Sequence, residues 1–374
     1  MSSFSQSQFP ASQLRRAFLV AAALPLIGRY AAGQPTPFQQ VPERPLVTLA
    51  VGGRTSLYFL PLTIADQLGY FREEGLQVEL QDHAAGSLAR QSMLKGGAHV
   101  AAGSYEHVLD LRGRGVNCRA FVFLGRAPQM VFGVSNRSFE QFRVLAQLQG
   151  RRIGISAPDS ATHWFAKRVL ARGALGPADV EFVSVGNSTA AALAVREGRV
   201  DAIAHIDPVI SLLEFRGDIR VLWDTRSLRG THELYGGPMG AGCLYAPQDF
   251  VVRYPRTVQA LANGVVRALK WLQTAGPSDI VRAVPEAYMH GDRAVYLSAL
   301  DKAREAMSPD GMISSECVET THRVMAQDSP RRTVVRPLRR QPPSPMSLPR
   351  EPSGGFRSLG VSLLTFPGGI FSRD

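Results

Sequence analysis

In the stretch GISAPDSATHWFAKRVL (residues 154–170), Ser160, Thr162 and His163 fall within four positions at the start of a helix-like run. A serine three residues before a histidine lies on the same helical turn, within reach for a nucleophile and its base. The same residues could instead cradle a bound molecule. They could also simply cap the helix, because serine and threonine oxygens accept the unpaired N–H groups of a first turn. Similar polar clusters follow other apolar runs: Thr55, Ser56 and Tyr58, Ser87, then Ser104, Tyr105, Glu106 and His107, then Asn187 and Ser188, and finally Asp207.

Catalysis makes demands that this chain does not meet. No G-x-S-x-G elbow surrounds Ser160, no H-E-x-x-H or paired-cysteine spacing offers a metal site, and no phosphate-binding glycine loop occurs. Neither a metal nor a cofactor is therefore expected, and the clusters read as holding something rather than reacting with it. Helix starts carry partial positive charge, so Ser87 and the Ser160–Thr162 turn suit an anionic or polar group. Glu106 and Asp207 disfavour a dianion and suit a cationic or hydrogen-donating part. Tyr58, Tyr105 and Trp164 could stack on a ring. For Ser87, Ser160 and Ser188 capping alone stands as the other reading, for the aromatics core packing, and for His107 and His163 a satisfied structural role.

Each cluster must be positioned by the element before it. PLVTLAV (45–51), LQVELQDHA (76–84), AHVAAGS (98–104), CRAFVFLG (118–125) and MVFGVS (130–135) read as strands, with helices over 59–71, 87–97 and 106–115. The alternation restarts at RRIGIS, with a helix over 161–173, a strand over 180–185, a helix over 188–197, a strand over 200–206 and a helix over 208–215. A strand over 240–251, a helix over 255–274 and further helices through 278–326 complete the pattern. Strand–helix alternation of this kind predicts mainly parallel sheets with helices on both faces, arranged as two similar α/β lobes. In open α/β sheets ligands bind beyond the carboxyl ends of the strands, which is where all of these polar clusters fall.

The 374 residues allow two domains, and 45% hydrophobic against 20% charged residues marks a globular chain. The net charge of +11 sits at the ends: +3 in residues 1–33, +6 in 329–374 and only +2 between them. A nearly neutral body has no footprint for a nucleic-acid backbone. Arg15 and Arg16 precede the apolar run AFLVAAALPLIG, and cleavage after Gly33 would leave Ala31 and Gly33 at the small-residue positions. Residues 1–33 thus read as an export signal. They are similar to the twin-arginine type, although Leu14 stands where that motif has Ser or Thr, and the general secretory route stays open. A soluble, periplasmic protein is expected. Residues 329–374 are Arg- and Pro-rich without periodicity and read as disordered, either a basic tail for an acidic surface or an accidental out-of-frame extension. Cys118, Cys243 and Cys317 are an odd number, so at least one thiol is unpaired.

Four segments together resemble the periplasmic substrate-binding proteins of ABC importers, in the nitrate, sulfonate, taurine and pyrimidine-precursor branch. They are PLTIADQLGYFREEGLQVEL (61–80), GSLARQSMLKGGAHVAAGSYEHVLDLRGRG (86–115), LQGRRIGISAPDSATHWFAKRVLARGALGPADVEFVSVG (148–186) and AALAVREGRVDAIAHIDPVISLLE (191–214). The resemblance spans roughly 46–328. It implies a two-lobed type II fold, with 46–133 plus 242–328 as lobe one and 134–241 as lobe two, joined by two crossing strands that form a hinge. It also implies a small anionic or sulfonate-like ligand in the cleft, a cognate membrane permease as partner, and a monomer. The polar residues named above, Ser56, Tyr58, Ser87, Ser104, Tyr105, Glu106, His107, Ser160, Thr162, His163 and Asp207, become the candidate contacts. The fungal pyrimidine-precursor synthases look similar over the first lobe. Their Cys-rich motif is missing here, which leaves a pyrimidine-precursor binding protein or a synthase-like enzyme as the alternative.

Overall fold

Two five-stranded sheets with the same plan organise the molecule in a computed structural model that describes residues 41–328 and 372–373. The export signal expected over 1–33 and all but two residues of the tail expected over 329–374 lie outside the described residues.

The chain begins with β1 (Leu46–Val51), α1 (Leu60–Gln67), α2 (Tyr70–Glu73), β2 (Gln77–Asp82), α3 (Gly86–Leu94), β3 (Val100–Ser104), α4 (Tyr105–Gly113) and β4 (Cys118–Phe123). It continues through β5 (Met130–Ser135), β6 (Arg152–Ile155), α5 (Ala161–Ala171), β7 (Glu181–Ser184), α6 (Thr189–Arg196), β8 (Ala202–Ile206), α7 (Val209–Phe215), β9 (Ile219–Asp224) and α8 (Leu228–Tyr235). It closes with β10 (Gly242–Pro247), α9 (Gln248–Arg253), α10 (Pro255–Thr274), α11 (Pro277–Ala283), α12 (Arg293–Arg304) and α13 (Ser315–Asp328).

The first sheet runs β2-β1-β3-β10-β4 and the second β7-β6-β8-β5-β9. In each, the first three strands in this order are parallel, the fourth is antiparallel to both of its neighbours, and the fifth runs with the first three. That fourth strand is the one that has just crossed from the other lobe. β5 belongs wholly to the second sheet, so the crossing precedes Met130 instead of falling at 133–134. Leu124 N still donates to Gly242 O (2.7 Å) and Arg126 N to Ala306 O (2.8 Å), whereas Gln129 N donates to Thr225 O of the second lobe (3.0 Å). The C-terminal segment is not confined to lobe one either. α12 packs on α7, Val295 joins the second lobe's core, and Lys302 approaches Glu214 at 3.5 Å.

Local chemistry explains where elements differ from the sequence pattern. The helix expected over 59–71 is split at Gly69, whose φ of 77° closes α1 and starts α2. The strand expected over 240–251 stops at Pro247, which cannot donate to the sheet ladder, and α9 follows. The strands deliver continuous buried runs, as β3 (VAAGS) and β8 (AIAHI) show, and their carboxyl ends point to one inter-lobe region.

Candidate functional site

A half-open cleft lies between the two carboxyl edges, with an inner cavity of only about 30 Å³. Lobe one supplies Tyr58, Ser104 and His107 to its wall, lobe two Ser156, Ser160, Thr162 and Asn187, and Phe59, Met130 and Ile206 make the apolar part. Among the described residues no Lys, Arg, Asp or Glu is in the lining.

On the first lobe, Ser104 ends β3 and caps α4, accepting from Glu106 N at 3.3 Å. Its hydroxyl also hydrogen-bonds Glu106 Oε2. His107 follows three residues later, so both lie on one face of the first turn. Its ring is fully buried, edge-on to Trp164 with centroids 5.2 Å apart, and its Nδ1 lies 3.4 Å from Tyr245 Oη. Burial, with Arg90 adding to it, holds His107 well below the usual histidine range, so the ring is neutral at neutral pH. Room for that ring comes from Gly103, where a Cβ would sit 2.6 Å from His107 Nδ1. Gly52 does the same for the α3 N-terminus: a Cβ there would meet Gly86 Cα at 2.4 Å. No side chain caps that N-terminus. Tyr58 Oη and His107 Nε2 are buried without an aligned hydrogen-bond partner, although the Ser104 hydroxyl and the Asp159 backbone respectively lie close enough to affect their ionisation.

On the second lobe, three hydroxyls close a triangle: Ser156 to Ser160 at 2.9 Å, Ser156 to Thr162 at 2.8 Å and Ser160 to Thr162 at 2.9 Å. Thr162 Oγ1 further accepts from Ser156 N (2.9 Å), and Ser160 caps α5 through His163 N (3.4 Å). Asn187 reaches across the cleft to donate to Gly52 O at 2.6 Å, and its Oδ1 is buried without a partner. Leu57 N donates to Asp207 O at 2.9 Å, a second link between the lobes.

Of the candidates read from sequence, Tyr58, Ser104, His107, Ser160 and Thr162 reach the cavity wall, as does Asn187. Ser56, Ser87, Tyr105, Glu106, His163 and Asp207 are not in the lining. Ser56 donates to Gly53 O at 2.7 Å, and Tyr105 packs edge-on to Phe123 in the core of lobe one. Ser87 is buried one residue into α3. Glu106 stands behind Ser104; burial pushes its carboxyl up to about 7, with the Ser104 hydrogen bond opposing and Asp328 adding. Asp207 turns away to accept from Ser211 N (2.8 Å) and from buried Arg226 (3.2 Å), which also binds Glu214 and Asp224. His163 accepts from Asp159 N at 3.1 Å and packs against Phe182. Its ring makes no hydrogen bond to Ser160, whose hydroxyl is held by Ser156 and Thr162, so the two are not arranged as a nucleophile and its base. Among the described residues no group of three or more His, Cys, Asp or Glu could hold a metal, and the three cysteines are free and buried.

Sequence reasoning missed Ser156, Gly52, Gly86 and Gly103. Ser156 was visible as the residue directly after β6, at the sheet edge where ligands bind. The glycines carry no polar signal; they matter through the side chains they leave room for.

Two α/β lobes of one plan, exchanging a strand and facing each other across a polar cavity, form the fold of the periplasmic binding proteins. The chain belongs to the NMT1/THI5-like family, whose model matches residues 56–273. A solved protein of Bordetella bronchiseptica RB50 is 45% identical, with 79% of this chain and 93% of that one covered and a TM-score of 0.78. The alkanesulfonate-binding protein SsuA of Xanthomonas axonopodis pv. citri, solved bound to MOPS, shares the fold at 19% identity and a TM-score of 0.61, over 78% of this chain and 95% of that one. YtlA of Bacillus subtilis (strain 168), provisionally named a binding protein, is 20% identical over 72% of this chain and 80% of its own.

Proposed function

We propose that this chain is the solute-binding component of an ABC importer, exported to the periplasm, and that it delivers a small organic solute with a singly charged, sulfonate-like head to a membrane permease. It works as a monomer and does not transform its ligand. The observation that carries this reading is the convergence on one cavity between the lobes of two buried polar atoms without aligned partners that can donate to an anionic head, Tyr58 Oη and His107 Nε2. Buried polar groups left unpaired cost about 1–3 kcal/mol each, a cost that a bound polar group relieves. The uncapped start of α3 and the start of α5 face the same space and favour negative charge. With no cation among the described lining residues, the head is held by dipoles, which suits one charge better than two. Phe59, Met130 and Ile206 offer an apolar wall for the remainder of the solute. The SsuA likeness fits this reading.

A thermal-shift screen of short alkanesulfonates, followed by calorimetry, tests it. Saturable one-to-one binding with the ligand recovered unchanged is expected. Steady multiple-turnover conversion of a bound compound would overturn the non-enzymatic reading, and binding of none of them would overturn the ligand class.

A further inference from the structure

We propose that Glu106 is the specificity-determining positioning residue of the cavity. Its carboxyl decides which way the Ser104 hydroxyl points, so that an anionic or acceptor group seated against Ser104 draws a proton from solvent onto Glu106. The proposal rests on the cavity being the solute site.

A serine hydroxyl has one hydrogen and two acceptor positions. In Ser104 one acceptor position is taken by Glu106 N, and Glu106 Oε2 occupies a second direction. The one direction left faces the cavity that Ser104 lines and lies close to Tyr58 Oη, which lines it too. When Glu106 is ionised it can only accept, so the Ser104 hydrogen points at it and a lone pair faces the ligand. When Glu106 is protonated it donates to Ser104, and the hydroxyl hydrogen is free to face the ligand. An ionised Glu106 therefore selects a donor, and a protonated one selects an acceptor.

The surroundings of Glu106 leave this choice open. It is buried, and among the described residues no cation pairs with it. Tyr58 faces it from the turn before α1, Tyr235 from α8, Cys243 from β10, and Cys317 and Asp328 from α13. Burial pushes the two phenols and the two thiols up, so all four stay neutral near neutral pH. Asp328 is engaged by Arg168 at 3.2 Å, with Lys167 close by. With Glu106 itself raised to about 7 by burial, both of its forms are populated near neutral pH.

Ethanesulfonate is a suitable probe, because it stays ionised throughout and accepts only. For the full chain, its affinity is expected to weaken roughly tenfold between about pH 6 and about pH 8, since proton uptake is lost once Glu106 is ionised in the free protein. Calorimetry in buffers of different ionisation enthalpy should register that uptake. Glu106→Gln, which keeps a donor toward Ser104, should bind with the low-pH affinity at every pH. Ser104→Ala should bind more weakly and also lose the slope. Melting curves of both variants confirm folding. The infrared band of a protonated carboxyl should be present in the ligand-free protein at about pH 6, fade by about pH 8 and be absent from Glu106→Gln. Ethanesulfonate binding with no pH slope, an unchanged slope in Glu106→Gln, or no such infrared band would overturn the proposal. Failure of ethanesulfonate to bind at any pH, with the infrared band present, would instead overturn the anionic-solute reading beneath it.

Discussion

The two walls of the cavity are both built from uncharged polar side chains but stand in different states. The second lobe's hydroxyls at Ser156, Ser160 and Thr162 already bond to one another. Three hydroxyls in a triangle have three hydrogens, and the triangle uses all of them. To donate to a ligand, one of these bonds must open. The first lobe's Tyr58 Oη and His107 Nε2 have no such bond to surrender. A ligand that only accepts therefore gains a new hydrogen bond on the first wall and merely exchanges one on the second, where the unpaired Asn187 Oδ1 cannot donate. Affinity should be concentrated in the first lobe and stability in the second.

Tyr58→Phe tests the first wall most directly, and the largest change is expected there. Removing a donor to a charged head should weaken ethanesulfonate binding by roughly 10- to 150-fold, equivalent to about 1.5–3 kcal/mol. The melting temperature of the free protein should not fall, because the hydroxyl contributes no aligned hydrogen bond there. A lowered melting temperature with unaltered affinity would reverse the comparison.

Ser160→Ala should act the other way. It removes the cap of α5 and two sides of the triangle, costing about 1 kcal/mol of stability. Affinity should change less than in Tyr58→Phe, because the ligand loses only an exchanged bond. Calorimetry and melting on both variants decide it: an affinity loss in Ser160→Ala as large as in Tyr58→Phe would show that the second wall donates freely.

The smallest effect on binding concerns His163, held at about 4 by burial with Lys167 adding to it. Its folded value lies below the unfolded one of about 6.5, so the unfolded chain binds more protons between the two and stability rises with pH there. This contribution is complete above about pH 6.5 and lost as pH falls toward 4. His163→Gln should flatten the melting temperature across that window and leave binding at neutral pH intact. An unchanged profile would remove His163 as the cause.

The repeated α/β plan was legible because strand and helix periodicities are local, and the strand ends named the sheet edges that meet. Which polar residue at an edge faces the cavity was not legible. Ser104, Tyr105, Glu106 and His107 are consecutive, yet only Ser104 and His107, three apart, share the face that lines it. Asp207 follows β8 as well as any candidate does, but Arg226, nineteen residues later, draws it away. Chain neighbours distant in sequence decide such orientations, and no local pattern encodes them. The same holds for β5: its residues read clearly as a strand, while its membership of the second sheet depends on β8 and β9, which come much later.

The exchange of the fourth strands also sets an order of assembly during synthesis. The second lobe has all its strands once Asp224 has left the ribosome, since β5 to β9 are consecutive. The first lobe does not. Until β10 emerges at Gly242–Pro247, β4 lacks the strand it pairs with, because among the described residues its sheet neighbour is β10 alone. The half of the protein made first is thus the half completed last. In the interval, β3 and β4 present unpaired edges, the kind of surface on which nascent chains associate wrongly.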